Sequence, residues 1–233
     1  MTPPRQDHFP RRRGQRRKAK RTILIAVEGK VTERLYFDAL KRTDVVKEHC
    51  AVTIISGKGG SRLRIAEEAI GKRDDSEGDF DEAWLVLDTE RLTSAEAMAD
   101  FRKAKTLAKK KGFSVAASNP SFEVWLLAHF TRSARQFADA NAVISELTQH
   151  WRKTFNREYG KGDEAGLREI TARTQDALLH ARDVRQKHHG AKSDICDCNS
   201  ATELYLLVER LLGLDDAGGK GGPKRRTKAK GSR

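Results

Sequence analysis

A strand that ends in a carboxylate and a glycine is the feature that most constrains how this chain can fold. Residues 23–27 are all apolar, and a continuous apolar run of this length is typical of a strand buried on both faces of a parallel sheet. Glu28 and Gly29 follow at once, and Gly29 permits a tight turn with space for a ligand beyond the strand. Thr32 is expected to cap the next helix, with Glu33 in its first turn. In open α/β sheets, ligands bind just beyond the carboxyl ends of strands, as at this position.

Three further apolar runs repeat the pattern of a strand followed by a helix. We predict strands at residues 51–55, 83–87 and 113–117. The residues expected to begin the helices that follow are Ser61, Ser94 and the pair Asn119–Pro120. Four strands that alternate with helices predict an α/β fold with a four-stranded, mainly parallel, Rossmann-like sheet and helices on both faces. If the first and third strands are neighbours, the acids that follow them meet at one edge.

From about residue 133 onward the sequence predicts helices alone. They are expected at residues 141–151, 163–188 and 200–212, and Ser200 with Glu203 forms a capping-box pattern at the start of the last one. No linker rich in Gly, Ser or Pro precedes them, so we expect them to pack on the sheet. The predicted parts of the chain are a disordered basic arm (1–21), an α/β domain (22–132), an all-helical C-terminal extension (133–214) and a disordered basic tail (215–233).

The positive charge of the chain is concentrated at its two ends. The formal net charge is +13; residues 5–21 contain nine Lys or Arg and one Asp, and residues 220–233 contain seven Lys or Arg and no acid. The rest of the chain is therefore close to neutral. Polycationic arms bind phosphate backbones by counterion release, so nucleic acid is the expected partner. The cations expected to contact it are Arg11, Arg12, Arg13, Arg16, Arg17, Lys18, Lys224, Arg225 and Arg226.

Two other interpretations of the basic ends remain open. They could be solvated tails that only increase solubility, or a tether to a membrane surface, although no amphipathic helix accompanies either arm. No apolar run approaches the roughly 20 residues that cross a bilayer, and no apolar signal-peptide segment follows the basic N-terminus. Three cysteines do not indicate a disulfide framework. We therefore expect a cytoplasmic protein without a membrane-spanning segment.

Acidic residues follow the first and third predicted strands. Glu28 ends the first, Asp88 and Glu90 end the third, and Glu33 lies one helical turn beyond the first. Clustered carboxylates without basic partners repel each other unless a cation neutralises them, and a set of oxygen ligands suits Mg²⁺ or Mn²⁺. Asp88 and Glu90 flank Thr89, so on an extended segment both side chains leave on the same face. The alternative is that these are ordinary exposed acids in loops.

Several other features carry less functional information. Cys196 and Cys198 near two histidines do not form a closed four-ligand zinc pattern. The glycines in residues 57–60 do not form a phosphate-binding loop of the GxxxxGK(S/T) type and are expected to make a turn. Residues 125–127 have the pattern of a helix core, and His129 on the same helix is expected to be a structural histidine rather than a general base.

Five blocks of sequence together resemble the RloB family of phage-defence proteins, also called AbiLii-like. The blocks are EG at 28–29, TE at 32–33, YF at 36–37, LDTE at 87–90 and SNPSFEVWLLAHF at 118–130. The resemblance covers about residues 22–130, with a weaker echo at 159–161 and 199–211. That family belongs to the Toprim-like proteins, so the resemblance implies a Toprim-like sheet and divalent metal at a phosphoryl-transfer centre.

The resemblance also implies roles for individual acids. Glu28 would be a metal-ligating or acid/base carboxylate, Asp88 and Glu90 a metal pair, and Glu33 and Glu123 further acids around a second Mg²⁺ or Mn²⁺ ion. The third acid is Glu90, whereas the wider Toprim pattern has Asp there. A cation beside the scissile phosphate would stabilise the transition state. The candidates for this role are Lys30, Lys58 and Lys161.

The function implied by the resemblance is a metal-dependent nuclease that cleaves RNA, such as tRNA, or DNA in abortive-infection defence of a bacterium against phage. An ABC-type ATPase is the implied protein partner. The first alternative is a non-catalytic nucleic-acid-binding component that such an ATPase regulates. A primase-like nucleotidyl transferase is a further alternative, but the sequence contains no zinc ribbon or helicase segment to support it.

Overall fold

One mixed five-stranded sheet organises the fold. The computed structural model describes residues 20–57, 59–76, 80–90, 94–189 and 194–214. The strands are β1 (Arg21–Val27), β2 (Cys50–Ser56), β3 (Glu82–Asp88), β4 (Phe113–Asn119) and β5 (Ala201–Thr202). Their order is β2-β1-β3-β4-β5; the first four are parallel and β5 is antiparallel to β4. The prediction of an α/β fold with a mainly parallel sheet is therefore confirmed. The predicted count of four strands is wrong, and so is the prediction that the C-terminal extension is all-helical, because β5 lies within it.

Nine α-helices lie in the part of the chain that the structure describes. They are α1 (Thr32–Leu40), α2 (Asp44–His49), α3 (Arg62–Asp74), α4 (Ala95–Lys110), α5 (Glu123–Ala128), α6 (Ala140–Phe155), α7 (Glu164–Ile170), α8 (Thr174–His189) and α9 (Leu204–Leu211). The helix predicted at 163–188 is in fact two helices, because a 3-10 turn at Thr171–Arg173 separates α7 from α8. Helix α2 was not predicted. No helix among the described residues has the length and apolar character needed to cross a membrane.

The predicted helix caps at Ser61 and Ser94 form, whereas the one at Thr32 does not. The Ser61 hydroxyl accepts a hydrogen bond from the Arg64 N–H (3.3 Å), and the Ser94 hydroxyl accepts one from the Ala97 N–H (3.1 Å). Thr32 does not cap α1, because it is already the first residue of that helix. Its hydroxyl instead donates to the carbonyl of Lys161 (3.1 Å), and this bond joins α1 to the loop before α7.

Two other predicted helix starts are also wrong. Asn119 is the last residue of β4, its bond to Pro120 is cis, and α5 begins only at Glu123. The capping box at 200–203 does not form: Ser200 has a positive φ of 62°, and β5 follows it. The Glu203 carboxylate accepts a hydrogen bond from the Ala117 N–H of β4 (3.4 Å). The two segments are therefore paired with each other, Asn119 of β4 with Ala201 of β5, rather than used to begin helices.

The hydrophobic core has two main layers, one on each face of the sheet, and a smaller cluster around Phe137. Alternate residues of β1 point to opposite layers: Ile23 and Ile25 join one cluster, and Leu24 and Ala26 join the other. The first layer contains side chains of α1, α2 and α5–α9, and the second contains those of α3 and α4. The helices after residue 133 thus share a core with the sheet, while the predicted domain boundaries stay a prediction.

Candidate acidic site at the carboxyl edge of the sheet

The pairing of β1 with β3 brings Glu28 and Asp88 together. Val27 is in register with Val86, so the residues that follow the two strands reach the same edge of the sheet. The backbone N–H of Asp88 donates a hydrogen bond to Glu28 Oε2 (3.2 Å). Two residues that are 60 positions apart in sequence are therefore in direct contact where open α/β sheets bind ligands.

Two further carboxylates reach this edge from α1 and α5. Glu33 Oε1 accepts a hydrogen bond from the Gly29 N–H (2.9 Å), which closes the turn after β1. A Cβ atom at Gly29 would lie 1.9 Å from Glu33 Oε2, so a glycine is needed for this close approach. Glu123 is buried at the start of α5 and accepts hydrogen bonds from the Ser121 hydroxyl (2.7 Å) and the Tyr159 hydroxyl (3.3 Å).

The carboxylates at this edge interact electrostatically. Burial raises the pKa of Asp88 well above its usual value, and the charges of Glu33, Glu28 and Glu123 raise it further. Burial also raises the pKa of Glu28 and of Glu33, although nearby hydrogen-bond donors partly offset the effect. A raised carboxyl pKa means that the ionised form lacks sufficient neutralisation in its surroundings. This edge of the sheet is therefore a place where a cation would be stabilised.

Arg62 is a residue of the site that the sequence interpretation missed. Its Nε lies 4.0 Å from Glu28 Oε2, and its charge partly offsets the raised pKa of that carboxyl. The same guanidinium donates to the carbonyls of Asp88 (2.8 Å) and Glu90 (2.6 Å), so it holds the turn after β3. The sequence did contain a signal. Arg62 begins the helix after the second strand, and residues that follow parallel strands lie at the same edge of the sheet as Glu28 and Asp88.

Glu90 lies on the Arg62 side of this edge. Its charge raises the pKa of Glu28, while its backbone carbonyl binds Arg62. The Arg62 guanidinium binds the backbone carbonyls of both Asp88 and Glu90. That the carboxylates of these two residues reach one metal ion stays a prediction.

The loop before α7 places the side chains of Lys161 and Tyr159 beside Glu123. Lys161 Nζ lies 3.9 Å from Glu123 Oε1, and two thirds of the lysine side chain is exposed (67%). Tyr159, which was not among the predicted site residues, donates to the same carboxylate oxygen of Glu123. Lys30 is exposed just after Gly29. Lys58 and the predicted nucleic-acid-binding cations of the two arms lie outside the described residues.

The donor chemistry of this edge fits a divalent metal ion. Several carboxylates with raised pKa values supply the hard oxygen ligands that Mg²⁺ and Mn²⁺ prefer. The buried hydroxyl of Thr89, between Asp88 and Glu90, has no hydrogen-bond partner among the described residues. Within those residues, however, no three His, Cys, Asp or Glu side chains form a ready-made metal-ligand group. The charge and the donor type of this edge nevertheless fit a divalent ion.

Comparison with known proteins identifies the family. A family model described as RloB-like protein matches residues 23–211, which include nearly all of β1 and every other strand and helix described above. No curated protein and no solved structure matches the chain. The matched segment is most of the 233 residues. The chain therefore belongs to the RloB-like protein family.

Proposed function

We propose that this protein is a metal-dependent nuclease of the Toprim-like type that hydrolyses phosphodiester bonds in RNA or DNA. The observation that carries the proposal is the convergence of Glu28 and Asp88, with Glu33 and Glu123 close enough to raise the pKa of Asp88. Membership of the RloB-like family supports it. The proposed setting, taken from the resemblance in sequence, is abortive-infection defence against phage in the cytoplasm, with an ABC-type ATPase as partner.

The carboxylates would divide the work at the reaction centre. Glu28 and Asp88 would hold the metal ion, joined by Glu90, with Glu33 and Glu123 available for a second ion. When bound, Mg²⁺ or Mn²⁺ would supply Lewis-acid activation of water and neutralise charge on the phosphate.

The neighbouring cations would orient the substrate and the acids. Lys161 has an exposed ammonium group close to Glu123 and would approach a non-bridging phosphate oxygen. Arg62 is mostly buried, with 12% of its side chain exposed, and it binds two backbone carbonyls of the turn after β3. We therefore assign Arg62 as a positioning residue that holds Asp88 and Glu90 relative to Glu28.

Cleavage assays with conservative variants test the proposal. Labelled tRNA and plasmid DNA would be incubated with the protein and Mg²⁺ or Mn²⁺, alone and with the ABC-type ATPase. We expect Asp88→Asn and Glu28→Gln to lower the cleavage rate by at least about 100-fold, because each variant removes a charge that would hold the metal ion. Glu96→Gln is the matched control, since Glu96 is a fully exposed carboxylate in the first turn of α4.

A metal-binding measurement provides a second readout of the same proposal. Added Mg²⁺ should raise the melting temperature of the wild type and of Glu96→Gln but not that of Asp88→Asn. If the wild type and the Asp88 and Glu28 variants are equally inactive with the ATPase present, and none responds to metal, the nuclease proposal fails. The non-catalytic nucleic-acid-binding interpretation would then replace it.

A further inference from the structure

Helix α4 has a basic face that is directed into solvent. Its opposite side buries Phe101, Ala104 and Ala108 in the second core layer. This packing leaves exposed the four cations that we define as the α4 basic face, Arg102, Lys103, Lys109 and Lys110. Their exposure is a consequence of the helical period, because they lie on the side of the helix that is turned away from the sheet.

The four cations form two rows along the helix. Arg102 and Lys109 are seven residues apart, as are Lys103 and Lys110, so each pair is separated by two turns, or about 10 Å. Residues 101–111 contain six Lys or Arg and no Asp or Glu. Residues 22–219 have a formal net charge of only about −2 although they include these six cations, so this density of positive charge is a local feature of one helix.

Neighbouring acids compensate little of this charge. Within the described residues, no ion pair joins any of the four cations to a carboxylate. Asp194 borders the face: its Oδ1 lies 3.9 Å from Lys105 Nζ. Burial raises the pKa of Asp194, but the Cys196 N–H and the charges of Lys105 and Arg102 outweigh that effect and lower it overall. Two further acids, Glu96 and Asp100, lie in the first half of the same helix. With Asp194 at the margin, they still leave an excess of positive charge along residues 101–111, which contain no acid.

The stability of the helix does not account for the arrangement. The negative end of the helix dipole stabilises cations in the last turn, where Lys109 and Lys110 lie. That effect falls off within one turn, so it does not explain Arg102 and Lys103. In addition, Lys105 is three residues from Arg102 and four from Lys109, and like charges at these spacings destabilise a helix.

We propose that the α4 basic face binds the phosphate backbone of a nucleic acid. Helix α4 begins at Ala95, shortly after the turn that carries Asp88 and Glu90, and Arg102 lies seven residues, or about 10 Å, farther along the axis. A backbone that follows this face therefore leads toward the acidic edge of the sheet. The choice of occupant rests on the proposed function, but binding at this face needs neither metal nor cleavage.

The salt dependence of binding tests this proposal in the full chain. The probe is a fluorescein-labelled DNA duplex of about 20 base pairs, and anisotropy titrations in EDTA between about 50 and 200 mM KCl give the slope of log K against log salt. Each lost phosphate contact makes the slope shallower by about 0.9. We expect the variant with Arg102, Lys103, Lys109 and Lys110 all changed to Gln to have a slope shallower by about 3 and at least tenfold weaker binding at about 100 mM KCl.

A control variant distinguishes loss of the α4 basic face from a general loss of positive charge. It changes the same number of exposed cations to Gln at scattered positions, namely Arg42, Lys47, Lys153 and Arg168. We expect its slope to stay within about 1 of the wild-type value. An unchanged slope in the α4 variant, or an equal change in both variants, would overturn the proposal. Because the buffer contains EDTA, these results do not depend on whether the acidic edge catalyses cleavage.

Discussion

At the scale of single residues, His129 shows how burial determines a protonation state. The side chain is 1% exposed, its Nδ1 lies 3.0 Å from the Trp125 carbonyl, and its Nε2 lies 3.2 Å from the Tyr36 hydroxyl. A carbonyl only accepts, so Nδ1 carries the hydrogen and Nε2 accepts from the tyrosine. Burial lowers the pKa of His129 to about 4, and the neutral ring is fully hydrogen-bonded. These contacts agree with the sequence interpretation of a structural histidine.

The burial of His129 predicts that the folded protein loses stability as the pH falls, because the buried ring resists protonation. The lowered pKa means that the unfolded chain binds a proton below about pH 6.5, whereas the native state does so only near pH 4. The free energy of unfolding that the neutral ring contributes is thus present above pH 6.5 and is lost as the pH falls toward 4. The expected loss is about 3 kcal/mol.

The comparison with His129→Phe isolates this loss from other titrations. Urea unfolding of both proteins would be measured between about pH 7 and pH 4. The variant lacks the titrating ring. The free energy of unfolding of the wild type minus that of the variant should therefore fall by about 3 kcal/mol as the pH is lowered from about 7 to 4. A difference that does not change with pH would show that the native state takes up the proton as readily as the unfolded chain.

At the scale of elements, the contact between α6 and α7 depends on a glycine. Gly166 of α7 lies against the buried ring of Trp151 of α6, and a Cβ atom there would be 2.3 Å from Trp151 Cζ2. Asp163 joins the two helices: its carboxylate accepts from the indole N–H of Trp151 (2.8 Å) and from the Gly166 N–H at the start of α7 (3.0 Å). The beginning of α7 is therefore fixed over the indole.

We predict that Gly166→Ala destabilises the protein although alanine is the better helix former. The intrinsic preference for alanine contributes about 1 kcal/mol in favour of the variant. Overpacking against a buried indole costs about 1–3 kcal/mol, and the short contact places this site at the upper end. Gly162→Ala is the control, because a Cβ atom there would have no neighbour within 4 Å. Urea unfolding should show a lower midpoint for Gly166→Ala only; equal midpoints would contradict the packing described.

The elements that sequence could predict are those with local causes. Strands β1–β4 could be predicted from their apolar runs. The meeting of Glu28 and Asp88 at one edge could be predicted because the first and third strands of such sheets are commonly adjacent. Asn119 could not be assigned in this way, because its amide donates to the carbonyls of Ile195 and Cys196, more than 70 residues away. Strand β5 has only two residues, too few for a period to be visible. Tertiary contacts therefore override local cap signals at both places.

At the scale of the whole molecule, the first core layer connects early and late parts of the chain. Trp84 of β3, Trp125 of α5 and Trp151 of α6 all belong to it. A second connection lies at the amino edge of the sheet, where the largely buried carboxylate of Glu82 forms an ion pair with Arg210 of α9 and accepts from the Trp84 indole (3.3 Å). Loss of either connection would expose apolar surface or leave a buried charge without its ion-pair partner. We therefore expect the sheet and the helices after residue 133 to unfold together.

The three tryptophans allow this cooperativity to be tested directly, because they are the only ones in the sequence. Each variant would retain one tryptophan and carry Phe at the other two positions, and its urea unfolding would be followed by fluorescence and by far-ultraviolet circular dichroism. The substitutions will shift stability, so the comparison is made within each variant. In a two-state transition the two midpoints coincide in all three proteins. If the protein that retains Trp151 lost its fluorescence signal before its circular dichroism, α6 would separate from the sheet first. The shared core would then be too weak to join the two parts into one folding unit.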